Sequence, residues 1–201
     1  MVTKCFYDNT NHKAYKNILN YKKSLLKNKT KINVTDLGVG SHVLKQNQRT
    51  ISAMAKNAGT TYKRAKLLHR LVRYFEFETV LELGTSLGIA TQAMHLANPK
   101  ANISTIEGCP NISEFTKANF KDYRFENINL INDNFDDAIK NLKPNTFDLI
   151  FFDGNHQKEA TLHYFEMLLQ TVNNNSVFIF DDIYWSKGMT EAWETIKKHP
   201  K

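Results

Sequence analysis

The sequence predicts an α/β fold with a doubly wound, mostly parallel sheet. From residue 79 onward, short apolar runs alternate with longer segments that carry apolar residues at helical spacing. A turn with two glycines follows the first apolar run, and acidic residues follow the later ones. Such alternation builds a parallel sheet with helices on both faces and right-handed crossovers. The 201 residues suffice for one domain of this kind.

The segment before the sheet is predicted to be helical. Apolar residues recur among lysines at helical spacing, and we expect helices at 11–29, 47–57 and 61–75. The first 60 residues, 1–60, are therefore interpreted as an N-terminal helical cap on an α/β domain at 61–201. The loop 36–40 contains two glycines and an acid. It is either a lid over a ligand site or a plain connection between helices.

The remaining elements are expected to alternate in type. Strands are predicted where β-branched and aromatic residues form short apolar runs, at 79–83, 102–106, 128–132, 147–152 and 176–181. Helices are predicted between and after them, at 88–97, 111–119, 135–142, 156–171 and 186–198. Each strand is thus followed by a helix, as a parallel sheet requires.

The turn after the first strand predicts a nucleotide-type ligand site. Its pattern is Glu82-x-Gly84-x-x-x-Gly88. A glycine allows a tight turn and lets a ligand approach the main chain, and the following helix N-terminus offers unpaired N–H groups. A dinucleotide fold requires G-x-G-x-x-G instead. The carboxylate of Glu82 would repel a pyrophosphate but suits a ligand with an ammonium or sulfonium group.

Polar residues also follow the second and third strands. Glu107 lies 25 residues after Glu82, where a nucleotide-binding unit carries the acid that takes the ribose hydroxyls. A solvated acid at a strand end is the alternative. Asp133 and Asn134 follow the third strand, and their loop is expected to reach the same edge of the sheet.

Three acids follow the last two strands. Asp153 comes after the fourth strand, and Asp181 and Asp182 come after the fifth. Each alone could cap the next helix, but three converging carboxylates repel one another unless a cation or a shared proton intervenes. Oxygen ligands of this type suit Mg²⁺.

His156 is a candidate for a general base. Its reference pKa near ~6.5 would let it accept a hydroxyl proton, or it could simply pack at a helix start.

These motifs resemble those of the class I S-adenosylmethionine (SAM)-dependent methyltransferases, and among them the catechol- and caffeoyl-type O-methyltransferases. The resemblance covers about residues 60–201. It implies a Rossmann-like sheet with strand order 3-2-1-4-5. The sequence stops before the strand pair that usually closes this fold. Two expectations follow: either the chain is truncated, or the fifth strand is an edge that a partner chain covers, as in a homodimer.

The resemblance also implies roles for individual residues. Those expected to bind SAM are Glu82, Gly84, Thr85, Ser86, Gly88, Glu107, Asp133, Asn134 and Asp153. Those expected to bind a divalent metal such as Mg²⁺ are Asp153, Asp181 and Asp182, the last of which replaces the Asn of the family. His156 stands where the catechol enzymes have a lysine base. The expected catalytic residues are therefore His156 and Asp153.

The amino-acid composition limits the kinds of partner and the location that we expect for the protein. Residues 1–77 hold 16 Lys plus Arg against three acids, and the rest holds 11 against 17. A basic front half could attract nucleic acid, although no nucleic-acid-binding motif accompanies it. No apolar run approaches the ~20 residues of a membrane span. Without a secretion signal, and with only two distant cysteines, the chain is expected to be cytoplasmic.

The expected function is metal-assisted transfer of a methyl group from SAM to an oxygen of a small molecule. Two other classes stay open. The basic front half leaves room for a nucleic-acid-directed or noncatalytic methyltransferase-like protein. An NAD-dependent oxidoreductase is disfavoured because the third glycine of the dinucleotide pattern is missing.

Overall fold

The computed structural model describes residues 2–35, 47–142 and 146–200. Its N-terminal part contains a π-helical turn (Val2–Phe6), helix α1 (Ala14–Lys27), strands β1 (Lys31–Asn33) and β2 (Gln48–Thr50), and helix α2 (Ile51–Asn57). Next come α3 (Tyr62–Phe75), β3 (Thr79–Leu83), α4 (Ile89–Ala97), β4 (Asn102–Glu107), α5 (Pro110–Asp122) and β5 (Ile128–Asn132). The last elements are α6 (Phe135–Lys140), β6 (Leu149–Phe152), α7 (Lys158–Leu168), a 3₁₀ turn (Leu169–Thr171), β7 (Val177–Phe180) and α8 (Lys187–Ile196).

Within the described residues, five strands form one sheet in the order β5-β4-β3-β6-β7, and every neighbouring pair is parallel. Numbered along the chain, this is the predicted order 3-2-1-4-5. The predicted α/β fold class and its Rossmann-like sheet are confirmed. Because all the strands run in one direction, their carboxyl ends share one edge, at which open α/β sheets bind ligands.

The centre of the sheet is covered on both faces. In β3, Val80 packs in one apolar cluster, whereas Leu81 and Leu83 pack in another. In β6, Leu149 and Phe151 belong to the first cluster, and Ile150 and Phe152 to the second. Successive strand residues point to opposite faces, so continuous apolar runs are what a sheet with helices on both sides requires.

The predicted helix at 47–57 begins later than expected, and the start of that segment is a strand. Gln48–Thr50 pairs antiparallel with Lys31–Asn33, so that Arg49 lies opposite Ile32. Thr50 then caps α2, because its side chain accepts a 3.2 Å hydrogen bond from the N–H of Ala53. A capping residue has extended rather than helical backbone, which is why the helix cannot include the preceding residues.

The N-terminal part packs against the sheet region. Ile18 and Tyr21 of α1 are fully buried and share an apolar cluster with Leu87 and Ile89, which lead into α4. The boundary at residue 60 stays a prediction, and the proposed lid at 36–40 lies outside the described residues. Among the helices of the described ranges, none combines the length and apolarity needed to cross a membrane.

Candidate active site

The carboxyl edge of the sheet opens into a cavity of about 650 Å³. The structure brings nine of the predicted residues to its wall: Gly84, Ser86, Glu107, Asp133, Asn134, Asp153, His156, Asp181 and Asp182. The N-terminal part contributes Val34, Thr35 and Met54. Trp185 lines the cavity together with Asp181 and Asp182, which we call the acidic pair. Residues from the ends of all five strands of the sheet and from the preceding helices therefore enclose one space.

Gly84 turns the chain at the end of β3. Its φ is +104°, and a Cβ atom there would lie 2.5 Å from the carbonyl oxygen of Asp153. Only glycine combines this backbone conformation with so close an approach of two main chains. The sequence led us to expect that this glycine admits a ligand. In the structure it admits the backbone of Asp153, and so it joins the ends of β3 and β6.

The second glycine of the turn has a packing role in this structure. Gly88 begins α4 with a φ of +70°, and a Cβ atom there would clash with the ring of Phe120. Gly88 is not among the described residues that line the cavity. Its place is behind the turn, where α4 and α5 meet.

Glu82 is also behind the cavity wall rather than in it. It is fully buried, and its Oε2 accepts 2.5 Å hydrogen bonds from the hydroxyls of Thr91 and Thr105. Burial raises the pKa of Glu82 to about 7. The hydroxyl of Thr85 lies 2.6 Å from that of Thr105, so Thr85 belongs to the same buried network. This arrangement ties the glycine turn to β4 and does not favour the predicted direct contacts of Glu82 and Thr85 with a cofactor.

Glu107 is held at the wall by two main-chain donors. Its Oε2 accepts a 2.9 Å hydrogen bond from the N–H of Ser86, and its Oε1 accepts a 2.8 Å bond from the N–H of Cys109. The residue is only 9% exposed. The end of β4 and the glycine turn therefore fix this carboxylate in one orientation, as a site that recognises a diol would need.

Asp133 and Asn134 line the cavity beside Glu107, but their side chains are engaged locally. Asn134 caps α6 by accepting a 2.9 Å hydrogen bond from the N–H of Asp137. Asp133 accepts a 2.8 Å bond from the N–H of Asn134. Phe135, the first residue of α6, adds an aromatic wall. The loop can thus provide backbone and an apolar surface to a ring system.

Asp153 lines the cavity between Glu107 on one side and the acidic pair on the other. The hydroxyl of Thr60 donates a long hydrogen bond of 3.4 Å to its Oδ2. Burial raises the pKa of Asp153 well above its ordinary value, and the nearby charges of Asp181 and Glu82 raise it further. The site therefore favours the neutral form of this carboxyl.

His156 and the acidic pair form the far end of the cavity. The Nε2 of His156 lies 3.8 Å from Oδ2 of Asp182, and its ring centroid is 6.1 Å from that of Trp185. Burial lowers the pKa of His156, which Asp182 and Asp181 partly oppose. The predicted base is therefore present as a largely neutral imidazole with an acid beside it.

The sequence did not predict that Arg64 lies in the cavity. The guanidinium of Arg64, in the first turn of α3, binds both acids after β7. Its Nη1 is 2.9 Å from Oδ2 of Asp181, and its Nη2 is 3.2 Å from Oδ1 of Asp182. The sequence signal for the helix start was readable, since Thr61 is a typical cap. Nothing local indicated that this helix start meets acids 117 and 118 residues away.

The arrangement does not fit the expected divalent metal. Within the ranges that the structure describes, no group of three or more His, Cys, Asp or Glu residues is arranged to hold an ion. Asp181 and Asp182 already bind Arg64, and the N–H of Asp182 donates a 2.8 Å bond to Oδ1 of Asp181. Magnesium requires several oxygens at about 2.0–2.1 Å in an octahedron. Two of the three predicted ligands, Asp181 and Asp182, are therefore paired with Arg64, whereas Asp153 accepts the long bond from Thr60.

Comparison with known proteins agrees with the fold and the motifs. A family model described as a methyltransferase domain matches residues 81–183, just over half of the chain. That range begins in β3 and runs past the acidic pair, and so includes the glycine turn, Glu107 and Asp153. A comparison with curated proteins found no match.

Solved structures of similar fold include three methyltransferases. The SAH-bound methyltransferase of Podospora anserina is 16% identical, with a TM-score of 0.70 over 98% of this chain and 84% of that chain. An O-methyltransferase from Bacillus cereus, in complex with SAH, is 17% identical, with a TM-score of 0.67 over 99% and 84%. The O-methyltransferase TomG of Streptomyces achromogenes, in complex with SAM, is 17% identical, with a TM-score of 0.60 over 96% and 73%.

The resemblance predicted from the motifs is thus confirmed: the fold is shared with solved methyltransferases, and the family match covers the motifs themselves. The chain belongs to the methyltransferase-domain family.

Proposed function

We propose that the protein is a SAM-dependent methyltransferase that methylates an oxygen of a small molecule. The observation that carries this proposal is the orientation of Glu107, whose two oxygens are held by the N–H groups of Ser86 and Cys109 at the cavity wall. An ionised carboxylate accepts hydrogen bonds at about four sites, which suits the paired hydroxyls of a ribose. The structural neighbours with bound SAH or SAM support the same assignment.

The cavity has two ends with different chemistry. Glu107 and Asp133 follow β4 and β5 on one side of the sheet edge, and we assign this side to the nucleoside of the cofactor. His156 and Trp185 follow β6 and β7 on the other side, which we assign to the methyl acceptor. A volume of about 650 Å³ is within the usual range of roughly 300–1,000 Å³ for small-molecule sites.

SAM, when bound, supplies a methyl group already activated for transfer. The task of the protein is therefore to align an acceptor oxygen with that methyl group and to receive its proton. We assign the second task to His156, in which a proton on Nε2 would face Asp182 and leave Nδ1 as the proton acceptor. The new oxygen–carbon bond forms as the sulfur–carbon bond breaks, and the acceptor proton ends on His156. Alignment of this kind can contribute about 7–11 kcal/mol.

Asp153 lies between the two ends and is proposed to orient the acceptor. Its neutral carboxyl can donate a hydrogen bond, and Thr60 restrains its Oδ2. The proposed reaction involves no metal, because two of the three acids expected to bind one hold Arg64 instead. Asp153→Asn should reduce turnover while SAH binding survives. Equal losses of turnover and SAH affinity would assign Asp153 to the cofactor rather than to the acceptor.

A thermal-shift comparison tests the class of function. We expect SAH to stabilise the protein by about 2.7 kcal/mol at a hundredfold excess over its Kd. NAD⁺ and a short RNA should have no such effect. Stabilisation by NAD⁺ alone would favour an oxidoreductase, and stabilisation by RNA alone would favour a nucleic-acid-directed protein. Methyl transfer from labelled SAM to a panel of phenols and other hydroxyl compounds then identifies the acceptor.

A further inference from the structure

The guanidinium of Arg64 contacts both residues of the acidic pair, each through a different nitrogen. One guanidinium nitrogen binds Asp181 at 2.9 Å and another binds Asp182 at 3.2 Å. The side chains of Asp181 and Asp182 are 14% and 27% exposed, whereas that of Arg64 is 50% exposed and lines the cavity. A planar guanidinium with fixed donors suits adjacent carboxylates better than a flexible ammonium would.

The four carboxylate oxygens of this pair each face a donor group of the protein. For Asp181, Oδ2 faces Arg64 and Oδ1 accepts the N–H of Asp182. For Asp182, Oδ1 faces Arg64 and Oδ2 lies near His156. A metal ion bound by this pair would compete with Arg64 for the same carboxylates.

The backbone of Arg64 is held as firmly as its side chain. Its N–H donates a 3.2 Å hydrogen bond to the hydroxyl of Thr61, which caps α3. Thr60 precedes this capping residue, and its carbonyl oxygen accepts a 2.6 Å hydrogen bond from Nζ of Lys22 in α1. The cap and α1 therefore fix the helix start opposite the acids before any ligand arrives, which lowers the cost of ordering the site on binding.

We propose that Arg64 takes the place of the divalent cation at this edge, so that the chain holds its methyl acceptor without a metal. A guanidinium carries five N–H donors, and two of them account for the bonds to Asp181 and Asp182. The others lie on a half-exposed group at the cavity wall and bind an oxygen of the acceptor. The acceptor class is a small molecule with a phenolate or carboxylate oxygen beside the hydroxyl that is methylated.

This inference rests on the proposed function for its acceptor, but its first test needs neither SAM nor turnover. Binding of Mn²⁺ is measured by electron paramagnetic resonance on the wild-type protein, on Arg64→Ala and on Lys63→Ala. Lys63 is exposed on the same helical turn, so its replacement removes an equal charge without touching the acids. We expect Arg64→Ala to bind Mn²⁺ at least tenfold more tightly than the other two proteins. Stoichiometric Mn²⁺ binding by the wild type, abolished by Asp181→Asn, would overturn the proposal.

Arg64→Gln guards against misfolding of the alanine variant, because it keeps the β- and γ-methylenes and a polar end group while removing the positive charge. Circular dichroism of each variant checks that the fold is intact. Arg64→Gln should also gain Mn²⁺ binding, and a folded variant that does not would contradict the proposal. Once an acceptor is known, EDTA should leave wild-type turnover unchanged, and a loss restored by Mg²⁺ would count against Arg64.

The same proteins separate this inference from the proposed function. SAH titration should give similar affinities for the wild type and Arg64→Gln, because Glu107 lies at the other end of the cavity. Failure of the wild type to bind SAH would remove the proposed function and leave the Mn²⁺ result intact. If the wild-type protein binds both SAH and stoichiometric Mn²⁺, only the role given to Arg64 is removed.

Discussion

The hydroxyl of Tyr21 donates a 2.8 Å hydrogen bond to the carbonyl oxygen of Leu87. Both residues are buried, and the bond joins α1 to the turn that leads into α4. The next residue, Lys22, binds the carbonyl of Thr60 on the other side of the cavity. Two successive residues of α1 therefore brace both the glycine turn and the segment that precedes Arg64.

This brace predicts that Tyr21→Phe destabilises the protein and loosens the cofactor end of the site. Removing the hydroxyl leaves a buried carbonyl without this donor, which costs about 1–3 kcal/mol. Urea unfolding measures the loss, and SAH titration should report weaker binding. Tyr123→Phe is the matched control, because its hydroxyl bonds Ser24 at 3.1 Å in an exposed position. Similar losses from the two variants would contradict the role given to Tyr21.

The close approach of Gly84 to Asp153 predicts that Gly84→Ala is severely destabilising. The Cβ would lie 2.5 Å from a carbonyl oxygen at a φ of +104°, and both the clash and the strained backbone oppose it. We expect a loss above about 2 kcal/mol in the free energy of unfolding. Gly188→Ala in α8 meets nothing closer than 3.4 Å, and helix propensity should make it neutral or stabilising by up to ~1 kcal/mol. A tolerated Gly84→Ala would refute this account of the turn.

The buried carboxyl of Glu82 predicts a pH dependence of stability. Its pKa rises from 4.5 to about 7 on folding, so the folded state binds this proton more tightly than the unfolded state. The stabilisation is fully present below about pH 4.5 and is lost as pH rises through about 7. Between pH 5 and pH 8 this group should cost the wild type about 2 kcal/mol in the free energy of unfolding.

Glu82→Gln should remove that dependence, because glutamine cannot ionise. Urea unfolding at pH 5 and pH 8 measures the difference between the two proteins. Glu114→Gln, an exposed acid on α5, serves as the control and should follow the wild type. If Glu82→Gln shows the same slope of stability against pH as the wild type, the buried carboxyl does not titrate in this range.

The strands of the sheet were readable from the sequence because their signals are local. β3 and β5 have the predicted bounds, 79–83 and 128–132, since each apolar run is bounded by residues that end a strand. β2 was missed because it has only three residues and no apolar alternation, and its partner lies in β1. Pairing between distant segments of that length leaves no periodic pattern in a sequence.

The candidate site was predicted where strand ends determine it and missed where tertiary packing does. Glu107 and Asp153 follow apolar strands, and a parallel sheet brings such positions together. The orientation of Glu82 was not readable, because the threonines that bind it come from α4 and β4. Arg64 was missed for the same reason: its helix start meets the acidic pair only after the whole sheet has formed.

Titration of SAH into the wild type and into Glu107→Ala, followed by calorimetry, shows whether the cavity binds a SAM-type cofactor through Glu107. We expect one SAH per wild-type chain and a loss of at least about tenfold in affinity for Glu107→Ala, which corresponds to about 1.4 kcal/mol. Glu114→Ala should bind like the wild type. Absence of SAH binding by the folded wild type, or equal binding by Glu107→Ala, would contradict the assignment of this cavity to a SAM-type cofactor.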